Sequence, residues 1–152
     1  MKTLILYTSK YGTTKKCSEL IKAGLTDSKL YDLTESNDIS LKPYDKIIIG
    51  TSIYFGKINK TLSNFIDENL PLLLTKEIGL FMCSKETTLE QSINKELFEH
   101  AQYKSHFGFE LNISNMKFMD KIITKKIAQV SNDESHLKLE QINDFIKSLN
   151  LS

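Results

Sequence analysis

Apolar and polar residues follow two rhythms along the 152-residue chain. Apolar runs recur at Thr3–Tyr7, Lys46–Thr51 and Glu77–Cys83, the second of them rich in β-branched residues. Runs of this length suit strands buried on both faces, as in a parallel sheet. Lys29–Leu33 alternates and predicts a shorter second strand, and His106–Ile113 predicts the last one. Helical spacing fills the intervals. From Thr13 a helix sets Cys17, Leu20, Ile21 and Ala23 on a recurring face and ends near Gly24. Asn59–Leu70 carries Leu62, Phe65 and Ile66, with Pro71 near its end, and Leu89–Ala101 carries Ile93, Leu97 and Phe98. Met116–Ala128 and Leu137–Leu149 predict two further amphipathic helices, separated by the polar stretch Ser131–Ser135. Thr34–Asp45, polar and containing Pro43, is a connection. Strands alternating with helices predict a single α/β domain over residues 1–152, its parallel sheet covered on both faces. Open sheets of this kind bind ligands at the carboxyl ends of strands, where strand order reverses. Three loops fall at such ends, Thr8–Thr13, Ser52–Lys57 and Cys83–Thr88, and are expected to converge.

The first loop carries the most chemistry. A strand running through a loop into a helix N-terminus forms an anion site, because the first N–H groups of the helix lack partners and the peptide dipoles favour negative charge. Thr8, Ser9, Thr13 and Thr14 add hydroxyl donors around Gly12. One such residue would make an ordinary helix cap, but four around a glycine exceed what a cap needs. The triphosphate motif GxxxxGK[ST] and the dinucleotide motif GxGxxG are both absent. The remaining reading is a cradle for one terminal monophosphate.

The spacing SKYGTT, Ser9 to Thr14, resembles the S-x-T-G-x-T phosphate loop of the flavodoxin family. Ser9, Gly12 and Thr14 match, and Tyr11 stands where that pattern has a hydroxyl. GTSIYFG, Gly50 to Gly56, resembles the family's G-x-[SP]-x-x-[aromatic]-G loop. The resemblance implies a flavodoxin-like three-layer sandwich with a five-stranded parallel sheet in the order 2-1-3-4-5, and an extra helix before the last. It implies FMN as cofactor. By the same resemblance Thr8, Ser9, Lys10, Tyr11, Gly12, Thr13 and Thr14 hold the phosphate. Ser52, Ile53, Tyr54, Phe55 and Gly56 then run along the flavin, with Phe55 the first stacking candidate, Tyr54 the second, and Gly56 admitting the backbone to the ring. Cys83, Ser84 and Lys85 line the ring's pyrimidine edge. Met82 to Lys95 holds no aromatic residue, which predicts one flavin face open to a substrate or partner. The flavin supplies the electron chemistry, so no catalytic side chain is nominated.

KTLILYTSKYG, GTSIYFGKINK and the late run KFMDKIITKKIAQVS resemble the quinone-dependent protoporphyrinogen IX dehydrogenases, a flavodoxin-like subgroup with an insertion before its last helix. This resemblance implies electron transfer from a porphyrinogen to a quinone at a membrane surface. Lys117, Lys121, Lys125 and Lys126 gather on the Met116–Ala128 segment, and a basic amphipathic helix can lie on anionic lipid. The plainer alternative is a helix packed on the sheet with solvated lysines. The alternative function is an electron carrier between redox proteins with no small-molecule substrate.

Charge narrows these options. Lysine and arginine total 20 against 19 acidic residues, a net charge of +1. That implies no strong field for nucleic acid and counts against a carrier, since carriers usually dock through a one-signed face. Cys17 and Cys83 are far apart in sequence with no CxxC, which reads as neither metal site nor disulfide framework and fits a reducing compartment. Cys83 reads as a small buried residue at a strand end, without a resolving cysteine nearby. His100, His106 and His136 show no metal-ligand spacing. A metal-dependent receiver module would need clustered acids at the first strand's end, where Tyr7-Thr8-Ser9 stands. Met-Lys leads directly into a strand and no apolar run suits a membrane span, so a cytoplasmic protein is expected, with peripheral membrane contact at most.

Overall fold

The computed structural model describes residues 2–34, 36–53, 56–84, 89–111 and 134–151. Strands β1 (Thr3–Tyr7), β2 (Ser28–Asp32), β3 (Lys46–Ser52), β4 (Glu77–Cys83) and β5 (Tyr103–His106) form one sheet in the order β2-β1-β3-β4-β5. All four pairings are parallel. This is the topology expected from the sequence. Among the described residues there are five helices: α1 (Thr13–Gly24), α2 (Lys60–Leu73), α3 (Leu89–Ser92), α4 (Lys95–His100) and α5 (Leu139–Asn150).

Alternation along the central strands builds the two apolar layers. Leu4, Leu6, Ile47, Ile49, Leu80 and Met82 pack with Leu62, Phe65 and Ile66 of α2 and with Leu89 and Leu97 of α3 and α4. Ile5, Ile48 and Phe81 point the other way, onto Cys17 and Ile21 of α1 and Ile142, Phe145 and Leu149 of α5. β1, β3 and nearly all of β4 are buried, which accounts for their unbroken apolar sequence.

Four elements depart from the sequence reading. The buried face of α1 is Thr14, Cys17, Ser18 and Ile21, whereas Leu20 is 39% exposed and Ala23 faces water. Ser18 tolerates burial because its hydroxyl donates to Thr14 O at 2.8 Å. The expected helix over Leu89–Ala101 is two helices, because Asn94 accepts the Leu97 N–H and starts a new cap. The last sheet strand is Tyr103–His106, not His106–Ile113. As an edge strand with one neighbour it is only half-buried, so YKSH lacks an apolar run. Leaving it, Phe107 is fully buried and stacks on Phe81 at 4.9 Å between centroids. Finally, Gly108–Leu111 (β6) pairs antiparallel with Glu134–Leu137 (β7), a ribbon the sequence reading did not foresee. It takes Leu137 out of the last helix, which begins at Leu139. The expected Met116–Ala128 helix, with its four lysines, lies outside the described residues.

Candidate functional site

β1 lies between β2 and β3, so the chain leaves it in one direction and later returns on the other side. The carboxyl ends of β1 and β3 are therefore the switch point of the sheet. Two hydroxyl pairs bridge them. Thr8 Oγ1 lies 3.3 Å from Thr51 Oγ1, and Thr14 Oγ1 lies 2.5 Å from Ser52 Oγ. The first two predicted loops thus meet at one place.

Within the first loop, Gly12 sits at the helix start with φ 95°, a left-handed conformation that favours glycine. Ser9 plays the capping part: its Oγ accepts the N–H groups of Gly12 at 3.1 Å and Lys15 at 3.4 Å. Both bonds use its lone pairs and leave the O–H proton to point at an anion. The Ser9 N–H is in turn held by Thr34 Oγ1 at 3.1 Å, at the end of β2. Thr8, Thr13 and Thr14 are buried, Ser9 and Tyr11 are half-buried, and Lys10 and Gly12 are exposed. The Lys10 ammonium stands 5.2 Å from the centre of the Tyr11 ring. Tyr11 therefore replaces a hydroxyl donor with a ring that steadies a cation beside the loop.

In the second loop Ser52 and Ile53 are buried, and Gly56 takes φ 74°. Ser92 of α3 donates to Gly56 O at 3.2 Å, tying this loop to the layer that holds α2, α3 and α4. Tyr54 and Phe55 lie outside the described residues. In the third loop Cys83 and Ser84 are buried at the end of β4, and Lys85 lies outside the described residues. The Ser84 N–H donates to Gly108 O at 2.8 Å, so β6 starts beside this loop. His106 Nε2 lies 2.7 Å from Ser84 O, and Lys138 Nζ lies 3.3 Å from His106 Nδ1. A charged Lys138 donates to Nδ1, which leaves Nε2–H to donate to the carbonyl. The sequence carried no signal for this relay, because its members come from β4, β5 and the start of α5.

One expectation is overturned. Cys83 has a partner: its S–H donates to Cys17 Sγ at 3.6 Å, across the junction of β4 and α1. That hydrogen bond, together with burial, pushes the Cys83 thiol well above its ordinary 9.0, with Thr14 pulling the other way.

A cleft of about 280 Å³ opens over the switch point, lined by Thr8, Ser9, Lys10, Thr34, Ser52 and the Lys57–Asn59 stretch. Its hydroxyl donors and two lysine side chains fit a phosphate monoester, and Gly12, Thr13 and Thr14 at the start of α1 stand behind this lining rather than in it. Thr34, Lys57, Ile58 and Asn59 were not among the sequence candidates, since only the packed sheet brings them to the loop. Among the described residues no cluster of His, Cys, Asp or Glu could hold a metal. No helix among them is long and apolar enough to cross a membrane.

An open parallel sheet in the order 2-1-3-4-5, with a hydroxyl-rich anion cradle at its switch point, defines a flavodoxin-like domain. Residues 4–138 match the flavodoxin domain family, and the chain belongs to it. It is 30% identical over 112 residues to an uncharacterised protein of Methanocaldococcus jannaschii, covering 73% of this chain and 71% of that one. It is 32% identical over 84 residues to a flavodoxin of Clostridium saccharobutylicum, covering 52% of each. Among solved structures it is similar to a Lactobacillus acidophilus flavoprotein in complex with FMN, with a TM-score of 0.51 and 24% identity over 71% of this chain and 91% of that one.

Proposed function

We propose that this chain is a flavoprotein that transfers electrons through bound FMN. The observation that supports the reading is the pair of hydroxyl contacts, Thr8 to Thr51 and Thr14 to Ser52, which hold Thr8 and Ser52 together on one cleft at the switch point. The phosphate goes to Ser9, Thr14, Ser52 and the start of α1, with Lys10 beside it. Family membership supports FMN over other phosphate ligands. When bound, the flavin supplies the electron transfer, and the chain binds and orients it. Protein reconstituted with FMN should turn yellow and bind it one to one. A protein that stays colourless, with flavin fluorescence unchanged on titration, would sink the reading.

The finer form of the proposal is oxidation of a porphyrinogen with a quinone as acceptor. It rests on the sequence runs at the first two loops and at KFMDKIITKKIAQVS, with Lys117, Lys121, Lys125 and Lys126 as the contact to anionic lipid. Turnover of protoporphyrinogen with menaquinone, measured with and without anionic vesicles, tests it. Electron exchange only with other redox proteins would instead make the chain a carrier.

A further inference from the structure

Cys17 and Cys83 are the only cysteines of the chain, and the fold sets them in contact directly under the proposed phosphate loop. Both are buried, Cys17 completely and Cys83 to within 4%. Thr14, a bridging residue of the cradle, lies one turn before Cys17 on the same face of α1. From that position Thr14 reaches Ser52 and also the Cys83 thiol.

We infer that Cys17 and Cys83 form a reversible dithiol–disulfide pair whose closure loosens the grip of the phosphate loop. The sulfurs stand 3.6 Å apart, so a bond of about 2.05 Å requires them to approach by about 1.5 Å. Side-chain rotation supplies part of this, and the rest falls on α1, which carries Thr14 with it. Thr14 then leaves its place over Ser52, and two hydroxyls of the cradle lose register.

Hydrogen peroxide balances the chemistry. The Cys83 sulfur, the more accessible of the two, first gives up its proton, a step its burial and the Cys17 contact slow, and the thiolate attacks one peroxide oxygen. The O–O bond breaks, and the departing oxygen takes the thiol proton and leaves as water. Cys17 then attacks the sulfur of the resulting S–OH. The S–O bond breaks, and hydroxide leaves with the Cys17 proton as a second water. Two sulfurs are oxidised by one electron each, and the two peroxide oxygens are reduced.

The coupling runs in both directions, as linkage requires, and this part rests on the proposed FMN site. A bound phosphate dianion disfavours a thiolate close by. At equilibrium FMN-loaded protein should therefore hold less of the disulfide than cofactor-free protein in the same redox buffer, by the factor that oxidation takes from FMN affinity.

The test is peroxide treatment of the cofactor-free chain, followed by alkylation and peptide mapping. The expected product is a Cys17–Cys83 cross-linked peptide, removed by dithiothreitol and absent from Cys17→Ala. Fluorescence titration should give an FMN affinity about tenfold weaker for the oxidised protein, restored on reduction, and the Cys17→Ala affinity should not respond to peroxide. Two thiols that stay titratable after peroxide would overturn the proposal, as would oxidation of one cysteine alone to sulfinic acid. Cross-linking with unchanged FMN affinity would overturn the coupling and leave the cofactor reading intact. Cross-linking in a protein that never binds FMN would defeat the cofactor reading instead.

Discussion

Thr14 shows how much one residue can decide. It is fully buried, its hydroxyl pairs with Ser52 and its carbonyl takes the Ser18 hydroxyl. Thr14→Ala removes a cradle donor and leaves Ser52 without its partner. FMN affinity is expected to fall by about 1–3 kcal/mol, roughly tenfold to a hundredfold, in a fluorescence titration. Gly50 decides packing rather than binding. A Cβ there would overlap the Phe81 ring, and Phe81 cannot yield easily because it stacks on Phe107 and meets Phe145 edge-on. Gly50→Ala should cost about 1–3 kcal/mol, read as a lower urea midpoint at unchanged slope. The glycine was visible in the GTSIYFG motif, but its reason was not, since Phe81 approaches from the neighbouring strand.

At the scale of elements, two helix ends are set by single side chains, one of them, Asn59, in the lining of the cleft. Asn59, where the sequence reading begins this helix, starts α2 by accepting the N–H groups of Thr61 and Leu62. Asn59→Ala should cost about 1 kcal/mol of stability in urea unfolding. The other end could not be read. Lys46, buried at the start of β3, reaches the end of α5 and donates to Leu149 O at 2.7 Å. Burial holds its ammonium below the ordinary 10.5, with Glu77 opposing. The unfolded chain keeps this proton to higher pH than the folded one. In the window just below 10.5 the unfolded state therefore binds more protons, and this lysine makes stability rise with pH. The stability difference between the native chain and Lys46→Met should widen in favour of the native chain from neutral pH to about 10. Urea midpoints across that range measure it.

For the whole molecule, the site sits where both apolar layers and three strands meet. Ser92 of one layer holds Gly56, and α1 of the other carries the phosphate loop. A ligand spanning these contacts binds only the folded state. FMN at a hundredfold excess over its dissociation constant should add about 2.7 kcal/mol of stability and raise the melting temperature by about 5–10 °C. A thermal scan with and without FMN reads this directly. Unchanged melting would count against a site built across the sheet.

Local pattern and chain order sufficed for the strand sequence, the parallel sheet and the hydroxyl-rich loop at its first turn. Strands buried on both faces must be apolar throughout, and an anion loop must carry its donors within a few residues. Both requirements are local, so both are written locally. Features made by residues distant in sequence were decided only by tertiary packing. The apolar stretch after His106 left the main sheet, because the edge position went to the polar YKSH segment with one strand beside it. Thr34 and Lys57 joined the cleft and His106 met Ser84 where neighbouring strands end side by side, and Cys17 met Cys83 where α1 packs on β4. Periodicity tells which side of an element faces inward; which residue waits there depends on how the elements pack.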